Sequence, residues 1–149
     1  MPEDIHESMW KRLIEIAEAG SIAVTVEIYG EMLSIPGVVG DCIKANKAAL
    51  VLEVNQDGWD WNNYVGHSTR INTTYHPFIS EYCGNSPKTV CLNDISIVAL
   101  SKSLGIPLIS MEASVMSSPK KRRIPDICYL EGIEHLNFND FLRRESIKV

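Results

Sequence analysis

The sequence lacks any long hydrophobic run. No window approaches the roughly 18 to 20 consecutive apolar residues that a membrane-spanning helix requires. The first residues, Met1-Pro2-Glu3-Asp4, are acidic, whereas a secretory signal begins with basic residues. These absences argue against a membrane span and an export signal. We therefore expect a soluble, cytoplasmic protein with no membrane partner.

The sequence contains none of the common cysteine motifs. The four cysteines are Cys42, Cys83, Cys91 and Cys128, and no two of them form a C-x-x-C pair. This spacing argues against a zinc knuckle and against a redox motif. His67 and His76 also fail to complete a common zinc template with the central cysteines. We expect reduced, partly buried thiols.

The chain has no excess of positive charge. It carries 14 Lys and Arg residues against 19 Asp and Glu residues, for a formal net charge of -5. This balance argues against a protein that coats nucleic acid through its overall field. The local exception is the run Lys120-Lys121-Arg122-Arg123, which follows Ser117-Ser118-Pro119. The run is either a solvated loop or a local set of phosphate contacts.

The length and the apolar content are those of one globular domain. The chain has 149 residues and is 45% hydrophobic. Such a chain can bury a core without the help of disulfides or metal ions. We therefore predict a single domain over residues 1–149.

Apolar periodicity alternates between helical and extended patterns. Helices are predicted at 2–19, 27–33, 39–48, 93–104, 125–131 and 137–144. Strands are predicted at 22–26, 49–54, 107–110 and 134–136. Residues 59–90 are more polar and suggest short helices between loops. Alternating helices and strands indicate an α/β fold, with a mainly parallel sheet covered by helices on both faces. In such sheets, sites form at the carboxyl ends of the strands.

Three acidic residues stand beside these apolar segments. Glu31 follows the first predicted strand, Asp94 opens a helix, and Glu112 lies just past a strand. Each has a structural alternative. Glu31 can be a solvated helix residue, Asp94 a helix N-cap and Glu112 an exposed acid at a strand end.

Asp94 opens a helix that Gly105 ends, and Glu112 stands two residues past Ser110 at the end of the next strand; in this pattern the stretch from 90 to 144 resembles the PIN-domain nucleases. In that family an Asp begins a helix of the form D-x-x-I-A-x-A, a Gly ends it, and a strand delivers an acid two residues past a Ser or Thr. Residues 93–102 and 104–112 are similar to this pattern, with Asp94, Gly105, Ser110 and Glu112 at the matching places. The text at 121–128, 132–133 and 137–143 resembles a bacterial PIN-like family of undefined function, and 22–33 resembles the strand and helix that supply a further acid, here Glu31.

The resemblance implies a three-layer PIN-like fold and a metal-dependent endoribonuclease. Asp94, Glu112 and Glu31 would be the catalytic carboxylates and would hold one or two Mg²⁺ or Mn²⁺ ions. The run from Lys120 to Arg123 would hold the RNA backbone. The family further suggests the toxin of a toxin–antitoxin module, with an antitoxin protein as partner.

One part of the family pattern is missing. A PIN domain begins with a strand that ends in a catalytic Asp, and nothing before Pro2 supplies it. Three explanations stay open: a longer natural amino terminus, a homo-oligomer or partner that completes the sheet, or an inactive member. The alternative function is therefore a binding module that recognises an antitoxin or nucleic acid without cleaving it.

Overall fold

A computed structural model describes residues 7–53, 56, 58–80 and 90–148. Helices dominate this part of the chain, and the strands are short and pair in parallel. The coarse prediction of mixed helices and parallel strands is therefore confirmed. The chain divides into two compact units, one of residues 1–53 with 139–149 and the other of residues 54–138.

In the first unit, residues 7–53 form four helices and one parallel bridge. The helices are α1 (Glu7–Glu18), α2 (Val26–Met32), α3 (Gly37–Ala45) and α4 (Lys47–Leu50). Thr25 caps α2, because its hydroxyl accepts the N–H of Ile28 at 3.3 Å. Val24, Tyr29, Ile43, Leu50 and Val51 form the buried core of this unit.

The two strands predicted in the first unit are wrong in extent. Val24 pairs in parallel with Val51 as an isolated bridge, with the N–H of Val24 donating to the carbonyl of Leu50 at 2.8 Å. Residues 47–50 are helical, because Lys47, Ala48 and Ala49 favour a helical turn and the carbonyl of Asn46 accepts the Leu50 N–H. Residues 54 and 55 lie outside the described part of the chain.

Gly40 is required by close packing of the backbone in α3. A Cβ atom at this position would lie 1.8 Å from the carbonyl oxygen of Ile35. No side chain can be accommodated at that distance, so any substitution must move the turn that precedes α3.

The second unit contains four helical segments and four short strands. In chain order these are α5 (Trp61–Thr74), a 3₁₀ turn (His76–Phe78), β1 (Ile79–Ser80), β2 (Val90–Cys91), α6 (Leu92–Leu104), β3 (Leu108–Ile109), α7 (Ile124–Glu131) and β4 (His135–Leu136). Strand β1 pairs with β2 and β3 pairs with β4, both in parallel. Helix α6 carries the most buried residues of this unit and packs against α5 and α7. A last helix, α8 (Phe138–Arg144), follows β4 in sequence, and all of it except Phe138 belongs to the first unit.

The prediction of short helices at 59–90 is wrong where the structure describes this region. Helix α5 is continuous over 14 residues and is capped at its start by Asp60, whose carboxylate accepts the N–H of Asn63 at 2.9 Å. Its many polar residues conceal the helical period, because only Tyr64 and Ile71 are buried. Trp59 and Trp61 pack their rings against Tyr64, which agrees with a packing role for these tryptophans.

The expectation that every cysteine is a free thiol is also wrong. Cys91 is disulfide-bonded to a partner outside the described residues, whereas Cys42 and Cys128 are free thiols. Burial raises the pKa of the Cys128 thiol to about 12, so this thiol is protonated and unreactive in the folded protein. Among the described residues, no helix is both long and apolar enough to cross a bilayer.

Candidate functional site

Asp94 lies where β2 passes directly into α6. It is the third residue of the helix, and its Oδ2 accepts the backbone N–H of Cys91 at 2.9 Å. The structural alternative placed Asp94 at the N-cap, but that position belongs to Cys91. The carboxylate therefore closes the first turn of α6 and sits at the carboxyl end of a parallel strand, where sites form in α/β folds.

Glu112 is half-buried and lies three residues past the end of β3. Its Oε2 accepts the backbone N–H of Ile124, the first residue of α7, at 3.0 Å. Because Ile124 directly follows the basic run, this hydrogen bond holds the carboxylate against the end of that run. Glu112 is therefore not a fully solvated acid at a strand end.

Ser110 connects β3, Glu112 and β4. Its hydroxyl accepts the backbone N–H of Glu112 at 3.4 Å, and the same oxygen lies 2.7 Å from Nε2 of His135 in β4. The pairing of β3 with β4 places the two side chains together. The contact restrains the backbone that carries Glu112.

Asp126 is a buried carboxylate that the sequence reasoning passed over. It is only 1% exposed and accepts hydrogen bonds from the Ser114 hydroxyl and from the backbone N–H groups of Val115 and Arg123. It thereby ties the segment after Glu112 to the start of α7. The sequence contained a signal for this residue, because Asp126 stands between Ile124-Pro125 and Ile127 near the start of a helix. A charged side chain inside an apolar run is buried only if it has partners.

The partners of Asp126 decide its protonation state. Burial raises the pKa of this carboxyl group, but the hydrogen bonds from Ser114, Arg123 and Val115 and the nearby charge of Arg122 outweigh burial. The pKa of Asp126 therefore lies below its ordinary value, and the group is ionised at neutral pH.

The four cations of the basic run lie in different environments. Lys120 and Lys121 are exposed, whereas Arg122 and Arg123 are half-buried. The Nη1 of Arg122 donates to the carbonyls of Ser118 at 2.7 Å and Lys121 at 2.6 Å. The guanidinium also lies 5.0 Å from the centroid of the Phe78 ring. The run is thus a structured loop with exposed lysines.

Glu31 lies in α2 and is exposed. It belongs to the first unit, whereas Asp94 and Glu112 belong to the second. The convergence of these three carboxylates on one point stays a prediction.

The described residues form no complete metal site. No group of three or more His, Cys, Asp or Glu side chains suited to a metal ion occurs in 7–53, 56, 58–80 and 90–148. Asp94 and Glu112 have the hard oxygen donors that Mg²⁺ and Mn²⁺ prefer, but a cation would need additional ligands. The imagined zinc set of His67 and His76 with two cysteines is weakened further, since disulfide-bonded Cys91 offers no thiolate.

A second buried carboxylate, Glu131, joins three helical segments, and its side chain is only 8% exposed. Its side chain accepts hydrogen bonds from Arg70 and from the Tyr75 hydroxyl at 2.7 Å, and its carbonyl accepts from Lys102 at 2.5 Å. The hydrogen bond from Arg70 lowers the pKa of Glu131 despite its burial. Burial raises the pKa of Tyr75, and Glu131 raises it further. This cluster holds α5 and α6 to the end of α7.

Comparison with known proteins gives a family for the chain and no named relative. No curated protein and no solved structure matches it significantly. A family model described as "Domain of unknown function (DUF4411)" matches residues 2–149. Because this match spans nearly the whole chain, the protein belongs to the DUF4411 family.

Proposed function

We propose that this protein is a metal-dependent endoribonuclease with a three-layer PIN-like fold. Two carboxylates, Asp94 and Glu112, follow parallel strands, as substrate-binding groups in α/β folds do. The observation that carries the proposal is the hydrogen bond between Glu112 and the N–H of Ile124. It brings an anionic oxygen ligand next to a loop of cations, which is the combination that a phosphodiester and its metal ion require.

The carboxylates and the cations have separate tasks in this proposal. Asp94 and Glu112 would hold Mg²⁺ or Mn²⁺, which when bound supplies an activated water and neutralises phosphate charge. The basic loop attracts the RNA backbone through its exposed lysines. The backbone N–H groups that bond Asp94 and Glu112 keep both carboxylates oriented. A toxin–antitoxin setting rests on the PIN resemblance alone.

A second candidate function is a binding module that does not cleave. It is favoured by the helix-capping bonds of Asp94 and Glu112, which give both acids a structural use, and by the absence of a three-ligand cluster among the described residues. On this reading the basic loop binds an RNA or an acidic antitoxin. The chemistry of the carboxylates then has no role.

Isosteric amides separate the two functions. Asp94→Asn and Glu112→Gln keep an oxygen that can accept the Cys91 or Ile124 N–H, but they remove the negative charge that a cation needs. The matched controls are Asp41→Asn and Glu15→Gln, which alter exposed acids on α3 and α1. Cleavage of a fluorophore–quencher RNA is measured with and without Mn²⁺, and Mn²⁺ binding is measured by calorimetry without RNA.

For the nuclease, Mn²⁺-dependent cleavage falls by about a hundredfold or more in both amide variants and stays unchanged in both controls, because even outer-shell changes cost about 10- to 100-fold. Mn²⁺ affinity falls in parallel. RNA binding without cleavage, at any Mn²⁺ concentration, supports the binding module. Equal cleavage by all five proteins identifies a contaminating nuclease and refutes the proposal.

A further inference from the structure

Arg122 is committed to the loop that contains it. One of its nitrogens donates to two loop carbonyls, those of Ser118 and Lys121, and its guanidinium faces the ring of Phe78. Phe78 is half-buried in the 3₁₀ turn after α5, so its ring lies outside the loop. A planar cation over an aromatic ring is attracted by the electron density of the ring face. The side chain of Arg122 therefore fastens the loop to the body of the second unit.

Lys120 and Lys121 have the opposite character. Both are exposed, and neither ammonium group forms a hydrogen bond or ion pair with the residues that the structure describes. The loop places them side by side just before α7. Two adjacent cations with no acidic partner in the described part of the chain raise the local potential of a protein whose net charge is negative.

The amino end of α7 does not itself offer an anion site. The N–H of Ile124 donates to Glu112, the N–H groups of Asp126 and Ile127 donate to the carbonyl of Arg123, and Pro125 has no N–H. A phosphate that approaches this end must therefore be held by side chains. The exposed ammonium groups of Lys120 and Lys121 meet that requirement.

We propose that the loop from Ser118 to Arg123 is a preorganised phosphate clamp for single-stranded RNA. Lys120 and Lys121 contact the phosphates, whereas Arg122 is a positioning residue that acts through Phe78. The inference rests on the proposed function for its choice of RNA as ligand. It changes the sequence-based expectation that all four cations touch the substrate.

The clamp predicts binding without much sequence preference at this loop. Arginine recognises guanine through two parallel hydrogen bonds from its guanidinium. In Arg122 the Nη1 group already donates to two loop carbonyls. Ammonium groups act as point charges on phosphates and carry no base information. Any preference for particular bases must then arise elsewhere in the protein.

The test measures binding of a fluorescein-labelled oligouridine in EDTA, at several salt concentrations, so that no metal-dependent cleavage occurs. The first variant is Lys120→Gln/Lys121→Gln, and its matched control, Lys44→Gln/Lys148→Gln, removes the same charge from exposed positions. The slope of log affinity against log salt is negative, and each lost phosphate contact reduces its magnitude by about 0.7 for single strands. We expect the magnitude of the slope to fall by about 1.4 in Lys120→Gln/Lys121→Gln. The slope of the control variant should equal that of the wild type.

The positioning role is tested by changes that conserve charge. Phe78→Leu and Arg122→Lys are each expected to weaken binding roughly threefold, the equivalent of one cation–π contact, with an unchanged salt slope. The combined variant is expected to weaken binding by less than the product of the two single effects, because both changes disturb the same contact between residue 122 and the ring. Thermal unfolding of each variant establishes that it is folded.

Three results would overturn the clamp. They are an unchanged salt slope in the lysine variant, wild-type affinity in a folded Phe78→Leu or Arg122→Lys protein, and equally tight binding of an oligoglutamate of matched charge. If only the nuclease proposal is wrong, the result is different, because the RNA still binds in EDTA while Mn²⁺ produces no cleavage. The two proposals can therefore fail independently.

Discussion

Replacement of Asp126 by asparagine tests how the loop beside Glu112 is held. Both oxygens of Asp126 are used, since Oδ1 accepts from Ser114 and Val115, and Oδ2 accepts from Val115 and Arg123. The asparagine amide keeps one oxygen and introduces an NH₂ group that cannot accept. At least one of the three donors therefore loses its acceptor, whichever way the amide turns.

The size of the effect follows from these bonds. A hydrogen bond to a charged acceptor contributes about 1.5 to 3 kcal/mol, and the retained oxygen preserves part of the network. We expect Asp126→Asn to lower the free energy of unfolding by about 2 to 3 kcal/mol. Asp126→Ala removes every acceptor and should cost roughly 3 to 5 kcal/mol. For a chain of this length, the asparagine variant should melt about 4 to 12 °C below the wild type.

Urea and thermal unfolding, followed by circular dichroism, give the measurement. Asp41→Asn is the control, because Asp41 is exposed on α3 and its substitution should change stability by less than about 0.5 kcal/mol. If Asp126→Asn also lowered the free energy of unfolding by less than about 0.5 kcal/mol, the hydrogen bonds assigned to Asp126 would be refuted.

The pH dependence of the same difference gives a second check. The pKa of Asp126 is lower in the folded protein than its ordinary value of 3.8. Its contribution is therefore complete above pH 3.8 and disappears as the pH falls through the lowered folded pKa. The stability gap between the wild type and Asp126→Asn should be constant near neutral pH and narrow in acid. A gap that widens as the pH falls contradicts the assignment.

Three further outcomes follow from the described structure. Tyr75→Phe removes the hydroxyl that donates to Glu131 and should lower the free energy of unfolding, measured in urea, by about 1.5 to 3 kcal/mol. A decrease of less than about 0.5 kcal/mol would contradict the contact. Iodoacetamide at neutral pH should modify half-buried Cys42 well before buried Cys128, as read by peptide mass spectrometry, whereas early modification of Cys128 would show that its burial is wrong. Gly105→Ala should lower the free energy of unfolding by about 1 to 2 kcal/mol, because Gly105 ends α6 with a φ of 66°, which strains any residue with a Cβ atom, although no neighbouring atom lies within 4 Å of that position. Unchanged thermal stability would argue against this conformation.

Helix positions follow from local signals in much of the chain. Gly105 and Gly132 end the helices predicted before them, and both adopt the left-handed conformation that glycine tolerates best. Apolar periodicity located α1 and α6 correctly to within a few residues over their described parts. These features depend on neighbours within one or two turns, so the local sequence determines them. The polar surface of α5 left too weak a period for the same reasoning to succeed.

The hydrogen-bond and ring contacts of the side chains could not be predicted from the local sequence. The bonds from Glu112 to Ile124 and from Asp126 to Val115 join residues about three helical turns apart in sequence, across a loop without a regular period. The contact of Arg122 with Phe78 and the network of Glu131 connect residues much farther apart. Only packing of the second unit decides which donors reach which carboxylates.

The sequence alone therefore determined where the helices end, which acids follow apolar segments and where the cations are concentrated, because these are properties of neighbouring residues. The tertiary structure decided that Asp126 is buried and ionised and that Arg122 anchors its loop, because burial and long-range hydrogen bonds depend on residues that meet only after folding.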